Sequence, residues 1–84
     1  MTQTIPTVQE YRKKVESMED LTIEQQIILI KTFEISSKGF PANGNFLMAL
    51  TGLNWKRFSA IINGLVLRGA LEKIEKNYYI TKGI

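Results

Sequence analysis

Side chains that can donate hydrogen bonds to an anion lie along one side of a predicted helix in the second half of the chain. Lys56, Ser59 and Asn63 recur there at i, i+3 and i+7, which places them on one helical face. Ala60 lies between them, and Arg57 lies to one side of the face. An arginine fork can pair with guanine, an amide can pair with adenine, and hydroxyl or ammonium groups can bind phosphate. We therefore expect these five residues to contact double-stranded DNA.

A predicted β-hairpin near the C-terminal end of the chain adds three more polar residues to this set. Lys73 and Lys76 lie on the hairpin, and Asn77 follows at the tip, where Lys76-Asn77 is predicted to make the turn. Ammonium groups at such a position can reach neighbouring phosphates or the minor groove. The sequence thus predicts one interface made of a helix and a hairpin.

The helix that carries the first set is recognised by its apolar stripe and its ends. The stripe recurs at i, i+3, i+4 and i+7 and consists of Phe58, Ile61, Ile62 and Leu65. Asn54 is placed to cap the start of the helix, and Gly69 is placed to end it. Gly52 stands where the chain must reverse, so we predict a helix, a turn and a second helix over residues 43–69.

The rest of the chain supplies the predicted support for this unit. Capping boxes at Thr7 and Thr22 open a leading helix over residues 7–19 and a scaffold helix over residues 22–36. The scaffold helix is apolar on nearly every side, with one stripe made of Ile23, Ile27, Ile30 and Phe33. A two-stranded hairpin over residues 70–82 follows, packed on the helices and joined by residues near Phe40. We expect a mainly α fold of about four helices with this small β-hairpin, as a single domain over residues 1–84.

Composition excludes several functional classes. The 84 residues include no cysteine and no histidine, which removes thiolate metal sites and the usual general base. The carboxylates are scattered over predicted surface helices, and there is no phosphate-binding glycine loop, so we expect no enzyme, no metal and no cofactor. No apolar run approaches the ~18 residues of a membrane span, and no signal peptide is present. We expect a cytoplasmic protein that associates with the nucleoid when DNA is bound.

Charge is distributed unevenly along the chain. Residues 1–34 carry a net charge of −2, whereas residues 35–71 carry +4 with no acidic residue at all. The acid-free stretch coincides with the predicted helix-turn-helix, as expected for a surface that binds a polyanion. The alternative is that four cations on a solvated face fall this way by chance.

The order of elements and several short motifs resemble those of winged helix-turn-helix domains of the bacterial, phage and archaeal regulator type, over residues 22–83. Residues 47–54 read L-M-A-L-T-G-L-N, which is similar to the family's L-A-x-L-T-G-L-S. Residues 65–71 and 79–83 resemble its passage into the wing and its closing segment. The resemblance implies a transcriptional regulator, with the recognition helix 55–68 in the major groove and the wing on the backbone. A free-standing domain of this size is common in phages and other mobile elements.

Three residues depart from the family pattern. Met48 stands where a small alanine is usual, and Trp55 and Gly64 are uncommon at their positions. Trp55 is expected to anchor the start of the helix by packing, the alternative being a platform on which a base stacks. Gly64 and Ala60 make a smooth strip that suits either close approach of another backbone or crowding against the wing.

Leu67 favours a different class of function. An apolar side chain on the outward helix face suits a protein partner better than a phosphate groove. The competing hypothesis is a winged helix that serves as a protein-interaction module of a replication or transcription complex, with RNA polymerase or a replication protein as partner. A homodimer is also expected, because one such domain buries a limited interface on DNA. With no helix after the wing, its contact is predicted to use the surplus apolar face of the second helix or a face of the first, made of Val8, Tyr11, Val15 and Met18.

Overall fold

The computed structural model describes residues 7–81, which form four helices and a three-stranded antiparallel sheet. In chain order the elements are α1 (Val8–Glu16), α2 (Ile23–Ser37), β1 (Ala42–Asn43), α3 (Gly44–Thr51), α4 (Trp55–Arg68), β2 (Leu71–Ile74) and β3 (Asn77–Ile80). The expected mainly α fold is thereby confirmed, and residues just after Phe40 join the hairpin as a short third strand, as expected. The predicted hairpin extends to Lys82, and the resemblance to residue 83; both positions lie outside the described residues.

Helix starts fall where the capping residues predicted them. Thr7 and Thr22 each accept a hydrogen bond from the backbone three residues later, and Glu10 and Gln25 complete the two capping boxes. Helix α1 ends at Glu16 and not near residue 19, because Ser17 becomes its C-cap and donates its hydroxyl to the Lys14 carbonyl. Such local side-chain bonds compete with continuation of a helix.

The turn between α3 and α4 consists of residues that favour the backbone conformations found there. Gly52 is in the left-handed region at φ 71°, which glycine adopts without strain, and it caps the C-terminus of α3. Asn54 then accepts a 2.8 Å hydrogen bond from the Arg57 backbone N–H and caps α4. Gly69, at φ 89°, ends α4 in the same left-handed conformation. This confirms Asn54 as the cap of α4, Gly52 as the residue at the chain reversal and Gly69 as the end of α4.

Helix α2 is the centre of the fold and packs against the other three helices and against the sheet. Its buried side chains are Ile28, Leu29, Ile30, Thr32 and Ile35. The hydroxyl of Thr32 is satisfied within the helix by donating to the Ile28 carbonyl at 2.7 Å. The stripe named from the sequence does not mark the buried side, since Ile23 and Ile27 are 74% and 41% exposed. A helix apolar on all sides does not reveal from periodicity which side faces inward.

The face of α1 that was assigned to a dimer contact is in large part buried within the chain. Tyr11 is 3% exposed and Val15 is 0% exposed. The Tyr11 ring stacks on that of Phe33 in α2, with centroids 4.2 Å apart. Val8 and Met18 are half-buried beside them. This assignment is corrected: Tyr11 and Val15 are core residues because α2 offers an apolar face for α1 to cover.

The sheet has the strand order β1-β3-β2, with both neighbouring pairs antiparallel. Ala42 pairs with Tyr78 and Asn43 with Asn77, so β3 lies between the other two strands. The sheet contact comes two residues after Phe40, which is itself exposed. By alternation along β3, Tyr78 faces the core and Tyr79 faces outward.

No helix among residues 7–81 is long and apolar enough to cross a lipid bilayer. Over the same residues, no three acidic, histidine or cysteine side chains converge as a metal site.

Candidate nucleic-acid interface

One face of α4 is free of core contacts and carries the polar set predicted from the sequence. The helix buries Phe58, Ile62 and Leu65, which fixes the opposite side toward solvent. On that opposite side, Lys56, Ala60 and Asn63 are exposed and Ser59 is half-buried. Leu67 continues the same face and is 89% exposed. We call these residues the α4 face: Lys56, Ser59, Ala60, Asn63 and Leu67.

Arg57 lies beside this face and is held by an acidic residue of α2. Its guanidinium donates from Nε to Glu24 Oε2 at 2.6 Å and from Nη2 to Glu24 Oε1 at 2.7 Å. These two hydrogen bonds lower the pKa of Glu24 and raise that of Arg57. A guanine contact needs the same paired donors. In this arrangement the fork of Arg57 is directed at Glu24 and not at an external base.

The other end of α4 is tied to the segment before α2 in a similar way. Arg68 donates to the carboxylate of Asp20, and this hydrogen bond is the main cause of the lowered pKa of Asp20. Two of the four cations in the acid-free stretch are thus paired with acids from earlier in the chain. Counting charge along the sequence overstates the positive charge of this part of the surface.

The hairpin places its lysines near the start of α4. Lys73 and Lys76 are exposed, and the Lys73 ammonium lies 5.9 Å from the centre of the Tyr78 ring, within cation–π range. Asn77 does not lie at the tip as predicted. The turn is made by Glu75 and Lys76, and Asn77 begins β3, where it pairs with Ile74 of β2.

The turn forms one residue early because Glu75 adopts the left-handed conformation. Its φ is 59°, which is uncommon for a residue with a side chain. Asn77 is thereby committed to the sheet and is half-buried. The backbone carbonyl of Lys76 also accepts from the N–H of Gly44 at 3.2 Å, which fastens the tip of the hairpin to the start of α3.

A cleft of about 230 Å³ lies between the hairpin and the starts of α3 and α4. It is lined by Asn43, Gly44, Asn45, Trp55, Lys73, Glu75, Lys76 and Tyr78. Most of these residues are polar, and two are lysines that form no ion pair with other residues in the range 7–81. The cleft therefore joins the hairpin lysines and the first turn of α4 into one continuous surface.

Trp55 and Asn45 belong to this surface; Trp55 was assigned to it only by the alternative of a base-stacking platform, and Asn45 was not assigned to it. Trp55 lies on the apolar stripe of the helical wheel, seven residues before Ile62, and this position favours packing. The ring is instead 65% exposed, so the packing-anchor interpretation of Trp55 is wrong. The apolar stripe of α4 thus begins at Trp55, before the first residue of the helix that the core buries, Phe58. Asn45 carried no signal in the sequence beyond its place in the first turn of α3.

Gly64 is explained by contact within the chain. A Cβ built on it would lie 3.3 Å from the Gln25 side-chain nitrogen of α2. The glycine therefore faces α2, on the same side of α4 as Arg57, and not the α4 face. This supports intramolecular crowding, although the neighbour is α2 and not the wing.

The described surface thus contains an exposed helix face, a polar cleft and a hairpin edge, with Lys56, Lys73 and Lys76 as exposed cations. Comparison with known proteins gives no match to a family model, to a curated protein or to a solved structure.

Proposed function

We propose that this protein is a winged helix-turn-helix domain that binds double-stranded DNA, with α4 in the major groove. The observation that carries the proposal is the α4 face. It extends over four neighbouring turns of α4 on the side away from the core, and it carries no carboxylate. Lys56, Ser59 and Asn63 provide ammonium, hydroxyl and amide groups on that face. The major groove is about 12 Å wide and admits one helix of this kind.

The hairpin supports the proposal by its position and charge. Lys73 and Lys76 flank the start of α4, across the cleft from Asn45 and Trp55. With α4 in the groove, the hairpin would meet the adjacent phosphate backbone, where cations contribute affinity without reading sequence. The hairpin then acts as the wing, and the cleft accommodates the DNA strand that runs between α4 and the hairpin.

We further propose that the protein regulates transcription in the cytoplasm, by blocking or recruiting polymerase at a short site. A single domain of this size buries a small interface on DNA, so useful specificity normally requires two half-sites. Sedimentation over a range of protein concentrations, with and without DNA, tests whether two copies bind together. A monomer under all these conditions contradicts the dimer.

Fluorescence anisotropy with random duplex DNA across a salt series tests the proposal. Affinity should fall linearly with the logarithm of salt concentration. Lys56→Ala should reduce the salt slope by about 1 and weaken binding to all sequences alike. Lys14→Ala, an exposed lysine of α1, is the matched control and should leave the slope unchanged. Absence of binding at low salt contradicts the proposal.

A second candidate function rests on Leu67. A side chain that is 89% exposed at the end of the α4 face suits a protein partner, such as a component of a replication or transcription complex. In that case Leu67→Ser would abolish partner binding, and DNA would not bind at all. The anisotropy experiment therefore separates the two functions.

A further inference from the structure

A second surface, away from the α4 face, carries five large apolar side chains that other residues of the fold leave exposed. We call it the α2–α3 strip: Ile23, Ile27, Phe40, Phe46 and Leu50. Their exposed fractions range from 41% for Ile27 to 74% for Ile23. Exposed apolar residues are common singly, whereas a contiguous group marks a contact surface.

The strip is continuous because two helices present their apolar residues at a spacing of four. Ile23 and Ile27 lie on the same side of α2 as Lys31, one turn apart. Lys31 in turn lines a cleft of about 560 Å³ with Leu50 of α3. Phe46, one turn before Leu50, and Phe40 complete the wall of that cleft.

The shape of the strip suits a helix. Together with the cleft beside it, the strip follows α2 from Ile23 to the C-cap residue Lys38, which is roughly 22 Å at about 1.5 Å per residue. That length exceeds what one small ligand covers and equals about four turns of a docked helix. A groove between two helices, with apolar residues on both sides, is the usual receptor for an amphipathic helix.

The charges along the strip indicate the sign of the charge that a partner should carry. Lys31, Glu34 and Lys38 lie on the same side of α2. Lys31 and Glu34 pair with each other at 3.9 Å, whereas Lys38 forms no ion pair with another residue of the range 7–81. A second copy of the chain would bring the same single net positive charge to the contact, whereas a helix with flanking carboxylates brings the opposite charge. Large apolar rings are equally unsuited to phosphate.

We propose that the α2–α3 strip binds an amphipathic helix of a partner protein, with apolar residues at i, i+3 or i+4 and i+7 and carboxylates flanking them. The partner and DNA can bind at the same time, because the two clefts share only Asn43 among their lining residues. Phe46 and Leu50 line one cleft and Asn45 lines the other. The domain thereby links a DNA site to an acidic protein segment.

Two labelled synthetic peptides of about 15 residues test this proposal. They share leucines at the apolar positions of a helix and differ only in the flanking residues, which are glutamate in one and lysine in the other. Fluorescence anisotropy with the whole chain should show binding of the glutamate peptide alone. Leu50→Ser and Phe46→Ser should each weaken that binding about tenfold or more. Lys38→Glu should also weaken binding of the glutamate peptide, and the loss should be larger at low salt than at high salt.

Control variants and measurements exclude loss of folding and loss of DNA binding as causes of weaker peptide binding. Leu67→Ser removes a leucine outside the strip that is more exposed than Leu50, and it should leave peptide affinity unchanged. Circular dichroism and DNA affinity of Leu50→Ser should match the parent protein. Equal binding of both peptides, binding of neither, or an equal loss in Leu67→Ser would overturn the proposal. Sedimentation that shows a dimer dissociated by Leu50→Ser would assign the strip to a second copy and would also overturn it.

Discussion

The guanidinium of Arg57 and the carboxylate of Glu24 form a two-pronged ion pair that joins the first turn of α4 to the first turn of α2. An acid is favourable in the first turn of a helix, whereas a cation there opposes the helix dipole. Glu24 therefore stabilises its own helix and compensates the unfavourable position of Arg57. The pair also determines whether Arg57 is available to DNA.

Glu24→Gln is expected to strengthen DNA binding. The substitution releases Arg57 to pair with a base and removes a negative charge near the proposed interface. A bidentate arginine–guanine contact is worth about 1–3 kcal/mol, so the affinity for a selected site should rise roughly tenfold. Fluorescence anisotropy measures this change. Glu16→Gln alters a carboxylate that pairs with Arg12 on α1 and should not affect DNA affinity. Weaker binding by Glu24→Gln would show that the ion pair holds Arg57 in its working position.

Stability is expected to fall in acid because ion pairs lower the pKa of two carboxylates in the fold. The pKa values of Glu24 and Asp20 are lowered by Arg57 and Arg68. The unfolded chain therefore takes up protons at a higher pH than the folded chain does. The stabilisation is complete above the ordinary carboxyl range near pH 4 and is lost as pH falls through the lowered values.

Urea unfolding at a series of pH values checks this dependence. Asp20→Asn and Glu24→Gln should each flatten the loss of stability below about pH 4. Glu19→Gln changes an exposed neighbour without an ion pair among residues 7–81 and should leave the acid slope as it is. An unchanged slope in both paired variants would mean that these contacts do not contribute in solution.

Gly64→Ala is expected to stabilise the protein. Glycine inside a helix costs about 1 kcal/mol relative to alanine. The added methyl group would meet only the end of the Gln25 side chain, at 3.3 Å, and this amide can move by a few tenths of an ångström. Thermal unfolding should therefore show a gain of up to about 1 kcal/mol, with DNA affinity unchanged.

Gly44→Ala is the matched comparison and should destabilise the fold. Its added methyl group would lie 3.3 Å from the ring of Tyr78, which is buried, and 3.8 Å from that of Phe58. Overpacking against fixed rings costs about 1–3 kcal/mol. A stabilised Gly44→Ala would show that the start of α3 is loosely packed.

Trp55 should report DNA binding directly. It is the only tryptophan of the chain, and its exposed ring lines the cleft with Lys73 and Lys76. Acrylamide should quench its fluorescence efficiently in the free protein and less in the presence of duplex DNA. Quenching that stays the same while anisotropy shows binding would place the DNA away from the cleft.

The helices and their ends could be predicted because short-range rules determine them. Thr7, Thr22 and Asn54 cap helices through groups only three residues away, and Gly52 and Gly69 supply left-handed backbone. All these interactions lie within a few residues along the chain. A single sequence therefore contains all the information that these predictions need.

The remaining features depend on contacts between distant parts of the chain. Arg57 is separated from Glu24 by 33 residues, and no spacing rule connects them. The sides that α2 buries depend on how five other elements share its surface, and the periodicity of α2 does not record this. Trp55 follows the pattern of a core residue and is exposed because no neighbouring element reaches it.

The position of β3 between β1 and β2 has a consequence for how the chain folds. β1 has two residues and pairs with a strand more than thirty positions later, so its ladder closes a long loop. Loop closure of that length is entropically costly, whereas the α1–α2 pair involves near neighbours in sequence. We therefore expect the two N-terminal helices to associate early and the sheet to form late, in the step that brings α3 and α4 into register.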